Sequence, residues 1–92
     1  MRQIERTSKF KKDYKRELKG QHKDTLNDVF VEVVTSLASD LALDEKYRDH
    51  SLSGEWSDHR DCHIKPDLVL IYRLENSDKL HLVRIGSHSE LF

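Results

Sequence analysis

Residues 59–73 read HRDCHIKPDLVLIYR. The first half alternates in polarity, Lys65–Pro66–Asp67 has turn chemistry, and Leu68–Leu74 is a nearly unbroken apolar run. A short apolar run bounded by turn residues reads as a central strand buried on both faces. In the strand before it, about His59–Ile64, alternate residues share a face. His59, Asp61 and His63 fall on one side, and Arg60, Cys62 and Ile64 on the other. Polar side chains directed inward in a small domain cost stability unless they are satisfied or used. The strand pair is therefore the expected seat of the functional site, with Cys62 and Ile64 toward the helices and His63 away from them.

Working outward, Asn76–Ser77–Asp78 is a hairpin turn into a third strand, Leu80–Ile85. The tail Gly86–Phe92 sets His88 and Phe92 just past that strand. Toward the N-terminus, Arg2–Arg6 gives a weak strand signal around Ile4, and Thr7 or Ser8 offers a helix cap. Phe10, Tyr14 and Leu18 form a helical stripe, closed by Gly20 as a C′ glycine. A second helix is expected from about Asp24. Its apolar residues, Leu26, Val29, Phe30, Val33, Val34, Leu37 and Ala38, recur at three- and four-residue steps. Residues 39–58 form a long connection held to the core by Leu41, Leu43 and Tyr47, of the length that is usually functional or partly mobile. The expectation is one α+β domain over residues 1–92. Two N-terminal helices form an αα-hairpin on one face of a small, mainly antiparallel sheet, in the order β-α-α-β-β-β.

The net charge of -1 conceals an asymmetry. Residues 1–23 hold nine Lys/Arg against three acids, residues 24–49 two against seven, and residues 50–92 five against seven. The basic first helix reads either as a surface for phosphates or as a solvated face. Cys62 is the only cysteine, which excludes an internal disulfide and a CxxC metal site. No window is apolar for long enough to span a membrane, and the charged N-terminus does not read as a secretory signal. A cytoplasmic protein with no membrane partner is expected.

Five of the six histidines lie in residues 50–92: His50, His59, His63, His81 and His88. Imidazole titrates nearest neutrality and suits proton transfer in both directions. Asp67 adjoins the turn after His63, and a tight turn would bring the two together. His59 and His63, four apart, would be about 13 Å apart along a strand, too far for one ion. No HExxH or Cys/His cluster is present, so no metal site is expected. His22, His59 and His81 read as surface residues, while for His50, His63 and His88 surface and site readings stay open. Trp56, in a polar loop, and Phe92, the last residue, read either as core or as platforms for unpaired bases.

The order of elements, with His50, Gly54–Glu55–Trp56, Arg60–Asp61–Cys62–His63, Pro66–Asp67–Leu68–Val69–Leu70–Ile71–Tyr72 and Gly86–Ser87–His88 before Leu91–Phe92, resembles the YafQ branch of the RelE/ParE toxin superfamily. The resemblance covers essentially the whole chain and is most specific from Tyr47 onward. It implies a RelE-like fold and a bacterial mRNA interferase that cuts the codon in the ribosomal A site. It also implies restraint by a DinJ-like antitoxin, with operator DNA bound only through that complex. The family's functional residues fall on His50, His63, Asp67 and His88, and its aromatics on Trp56 and Phe92.

Such a reaction has the RNA's own 2′-hydroxyl attack the adjacent phosphate and asks for no cofactor. His88 is expected as general acid and Asp67, with His50, as the proton acceptor. His63 would orient Asp67 or offset phosphate charge. Arg60, Lys65 and Arg84 are candidates to hold the phosphate. Which group is base and which acid stays open at this level. Two other readings compete: a ParE-like gyrase poison, which has no need of the histidine set, and a non-catalytic module that binds antitoxin and operator.

Overall fold

The computed structural model describes residues 1–20 and 26–92. The elements are β1 (Gln3–Arg6), α1 (Ser8–Leu18), α2 (Leu26–Ala38), β2 (His50–Ser51), β3 (Arg60–Lys65), β4 (Leu68–Glu75), β5 (Lys79–Gly86) and α3 (His88–Leu91). The strands form one sheet in the order β1-β5-β4-β3-β2. β1 runs parallel to β5, and the other neighbours are antiparallel. This is the expected α+β arrangement, with β2 as an additional two-residue edge strand. Among the described residues no helix is long and apolar enough to cross a membrane.

α1 starts where Thr7 accepts a hydrogen bond from the Phe10 amide at 3.0 Å. The same hydroxyl donates to the Val83 carbonyl at 2.7 Å, which ties the helix start to β5. Phe10 and Tyr14 then stack with Phe30 of α2, with ring centroids 5.0–5.8 Å apart. Leu18, the third residue of the expected stripe, is exposed. Lys19 caps the helix in a right-handed conformation, so Gly20 follows without the left-handed turn expected of it. The expected Asp24 cap and His22 lie outside the described residues.

β4 is buried on both faces, as its sequence predicts. Leu68, Leu70 and Tyr72 join Phe10, Val33, Val34, Leu37 and Ile85 beneath the helices. Val69 and Ile71 point the other way and pack with Leu91, Leu52, Trp56 and Val83. Burying each of these aliphatic side chains contributes about 1.5–3 kcal/mol. The second cluster exists because two segments fold over the far face. One is the tail, which is helical from His88 to Leu91. The other is the 39–58 connection, which contains 3₁₀ turns at Glu45–Tyr47 and Gly54–Trp56 as well as β2. Tyr47 is buried and Leu43 packs on the core, but Leu41, expected to pin this segment, is exposed.

Two irregularities adjust the faces. The β3–β4 register shifts between His63 and Lys65. Tyr72 pairs with Leu82 while Ile71 pairs with Arg84, which leaves Val83 as an extra residue on β5. Such bulges re-aim the side chains that follow them.

Candidate functional site

Cross-strand neighbours lie on the same face of a sheet. Register sets His50 of β2 opposite Asp61 of β3, Asp61 opposite Ile71, and His63 opposite Val69. Asp61 and His63 therefore share the face away from α1 and α2, as alternation along β3 predicts. Asp61 is 2% exposed. Burial pushes its carboxyl above the ordinary aspartate range, while the charges of His50, His63 and His88 pull it back. The charges of three predicted site histidines thus act on one buried carboxylate.

His50 Nδ1 lies 2.8 Å from the Arg48 carbonyl and 3.0 Å from Asp61 Oδ1. Arg48 has left-handed backbone, φ 49°, in the bend that leads into β2. His88 begins α3. The Ser87 hydroxyl accepts from the Glu90 amide at 3.2 Å, and the Glu90 carboxylate accepts from the Ser87 amide at 2.9 Å. That reciprocal cap fixes where the His88 side chain leaves the backbone. Hydrogen bonds from Ser87 hold the Glu90 carboxyl below its usual range. Arg16 Nε, 3.3 Å from Glu90 Oε2, links α3 to α1.

The aromatics gather at the same end. The Phe92 ring lies 4.7 Å from His88 and 6.4 Å from Trp56, centroid to centroid. Phe92 is half exposed. Trp56 combines the two readings: it packs on Val69 and Ile71 and also keeps part of its surface free. His59 rests edge-on against Trp56 at 5.4 Å and is half-buried. His81 is also half-buried, 3.4 Å from Glu75.

Other predicted residues are held elsewhere. Arg60 lies opposite Tyr72, on the helix-side face, where Arg60 Nε donates to Asp49 at 3.3 Å and the Tyr72 hydroxyl donates to the same carboxylate. Arg84 makes a two-pronged contact with Asp13, Nε at 2.6 Å and a terminal nitrogen at 3.1 Å. Lys65 and His63 border an open groove of about 850 Å³ that also includes Val29, Tyr47 and Pro66. Of His50, His63 and His88, only His63 reaches it. Asp67 is exposed in the two-residue turn between β3 and β4.

Asp61 and Asp13 are buried polar residues that reading the sequence did not single out as site residues. Asp61 alternates with His63 on one face, a signal that was present. Asp13 follows Phe10 by three and so belongs to the buried side of α1, which is the place to suspect a carboxylate with a partner. As an assembly, several imidazoles around a buried acid beside an exposed aromatic rim can move protons on a bound substrate that has a planar base.

A family model described as bacterial toxin of type II toxin-antitoxin system, YafQ, matches residues 2–92. The chain is 39% identical to the mRNA interferase toxin YafQ of Escherichia coli strain K12 over 92 residues, 99% of this chain and 96% of that protein. Among solved structures, a copper-bound mutant toxin from Helicobacter pylori superposes with a TM-score of 0.91 at 40% identity, covering 100% of both chains. The chain matched in the E. coli DinJ–YafQ complex gives 0.84 at 36% identity, covering 100% of this chain and 99% of that one. The H. pylori protein holds copper. Among the described residues here, no group of three or more His, Cys, Asp or Glu is arranged to hold a metal ion.

Proposed function

The chain belongs to the YafQ family of toxins from bacterial type II toxin-antitoxin systems, whose relatives are named mRNA interferases, and we propose that it is an endoribonuclease that cuts mRNA in the ribosomal A site through acid–base chemistry of its own side chains. The observation that carries this reading is that His50 stands 3.0 Å from the buried Asp61, His63 shares the same sheet face, and His88 lies against Phe92. A gyrase poison or an inert antitoxin-binding module has no use for that arrangement.

The 2′-hydroxyl loses its proton, its oxygen attacks the adjacent phosphorus, and the 5′-oxygen leaves with a proton. His50 takes the first proton, because both neighbours of its Nδ1 are acceptors and the ring's lone pair is left on Nε2. His88, on the short helix beside Phe92, supplies the last proton. His63, near the end of β3, offsets charge on the phosphate in its protonated form, and Asp67, in the β3–β4 turn, orients that ring. Phe92 and Trp56 hold a base by stacking. The site is an open face, and positioning of the mRNA is left to the ribosome, a proximity effect. The exposed Lys9, Lys11, Lys12 and Lys15 of α1 suit ribosomal RNA phosphates. The E. coli relative is solved with DinJ, and a DinJ-like antitoxin is the expected partner here.

The test maps cleavage ends on translated and untranslated mRNA, with wild type and His88→Ala side by side. Wild type is expected to cut only translated message, and His88→Ala to be slower by about 10²–10⁴-fold, the scale of a positioned acid. Equal cutting of naked RNA, or a full-rate variant, overturns the corresponding part.

A further inference from the structure

One polar atom is left over by the site as described. Asp61 is 2% exposed, and its Oδ1 has no aligned hydrogen-bond donor. His50 Nδ1 nevertheless stands 3.0 Å away. The aligned hydrogen bond of that nitrogen runs to the Arg48 carbonyl at 2.8 Å. Asp61 is thus a charge beside the ring rather than its hydrogen-bond partner. A nitrogen set between a carbonyl and a carboxylate oxygen must itself carry the hydrogen. The ring is 54% exposed and its remaining lone pair is on Nε2.

A neutral imidazole gains little from a nearby anion. Once Nε2 accepts a proton, the ring is a cation with a carboxylate 3.0 Å from it. On the side shielded from water that attraction is stronger than it would be in solution. An interaction that grows during the reaction lowers the barrier, whereas one of constant strength does not. The two-residue β2 makes this contact by setting His50 directly opposite Asp61.

We propose that Asp61 is a positioning residue for RNA cleavage, keeping His50 protonated on Nδ1 and stabilising the imidazolium that forms when Nε2 takes the 2′-hydroxyl proton. The inference deepens the nuclease reading and rests on it. The proton passes from the hydroxyl to Nε2, the oxygen forms its bond to phosphorus, and the 5′-oxygen departs with a proton from His88. Asp61 exchanges no proton at any stage.

Two measurements test it. Nitrogen-15 NMR of the full-length free protein, with His50 assigned by loss of its signal in His50→Gln, is expected to find the neutral ring as the Nδ1–H tautomer. An Nε2–H tautomer overturns the proposal whether or not any variant folds. Single-turnover cleavage on programmed ribosomes at saturating toxin is expected to slow by at least about tenfold in Asp61→Asn. In a His50→Ala background the same change is expected to cost less than about twofold, because Asp61 acts through His50. A full-rate Asp61→Asn protein, or an equal loss in both backgrounds, overturns it. If wild type itself leaves translated mRNA intact, the nuclease reading fails instead, and the tautomer result is unaffected.

Discussion

Replacing Asp13 with alanine should unlock the joint between α1 and β5. The carboxylate is 3% exposed. It accepts from Arg84 at 2.6 and 3.1 Å, from Arg16 at 3.2 Å and from the Ile85 amide at 3.2 Å. Alanine leaves the Arg84 guanidinium and a buried amide without this acceptor, while Arg16 keeps Glu17, Glu90 and the Ile85 carbonyl. Removing one partner of a buried pair costs about 3–5 kcal/mol. Arg84 is 23% exposed and recovers some water, so the low end applies, about 3 kcal/mol. For a domain of this size that lowers Tm by about 12–24 °C.

The cost should also depend on pH. Burial alone would raise the Asp13 carboxyl, but hydrogen bonds from Arg84 and the Ile85 amide, with the charges of Arg84 and Arg16, outweigh it and hold the group below its ordinary value. The folded protein therefore releases this proton more readily than the unfolded chain. The stabilisation is complete above the unfolded value, about 3.9, and fades as pH falls through the lower folded value. Thermal unfolding followed by circular dichroism from pH 7 down to about 2.5 checks both points. A Tm within about 3 °C of wild type at pH 7, or a gap that stays constant at low pH, would refute the reasoning.

Asp61 should behave in the opposite sense. Burial raises its carboxyl, so the ionised group costs stability above its folded value. Asp61→Asn is expected to raise Tm at pH 7.5, with the gain vanishing below about pH 3.9; unchanged or lowered Tm at pH 7.5 contradicts this. Phe92→Ala should leave unfolding within about 0.5 kcal/mol of wild type, since the ring is 50% exposed. The same variant should weaken cleavage on ribosomes by about 5–150-fold, the equivalent of one lost base stack. Changing Lys9, Lys11, Lys12 and Lys15 together to glutamine should preserve Tm yet reduce ribosome association and flatten its salt dependence. Binding with an unaltered salt slope would remove α1 from the contact.

Much of the scaffold was legible from local periodicity. The apolar run at Leu68–Leu74 became the doubly buried β4, and the three- and four-residue steps after Leu26 became α2. Alternation along β3 correctly put Asp61 and His63 on one side. The 39–58 connection was less legible, because β2 is two residues long and the 3₁₀ turns are single turns. Segments that short carry no period. The helix in the tail was illegible for the same reason: Ser87 and Glu90 form a capping box that holds only four residues.

The order of the longer helices and strands, the two-faced central strand and the identity of the histidines were determined by the sequence itself, because hydrophobic period and turn chemistry are local properties. Which side chains meet was decided only in three dimensions. Asp13 and Arg84 are 71 residues apart in the chain yet bonded, and His50 reaches Asp61 through a strand too short to announce itself. Register and bulges control these meetings, and a one-residue shift such as that at Val83 changes which face a side chain joins. A linear pattern has no access to that choice, since it depends on how distant segments bury their surfaces against one another.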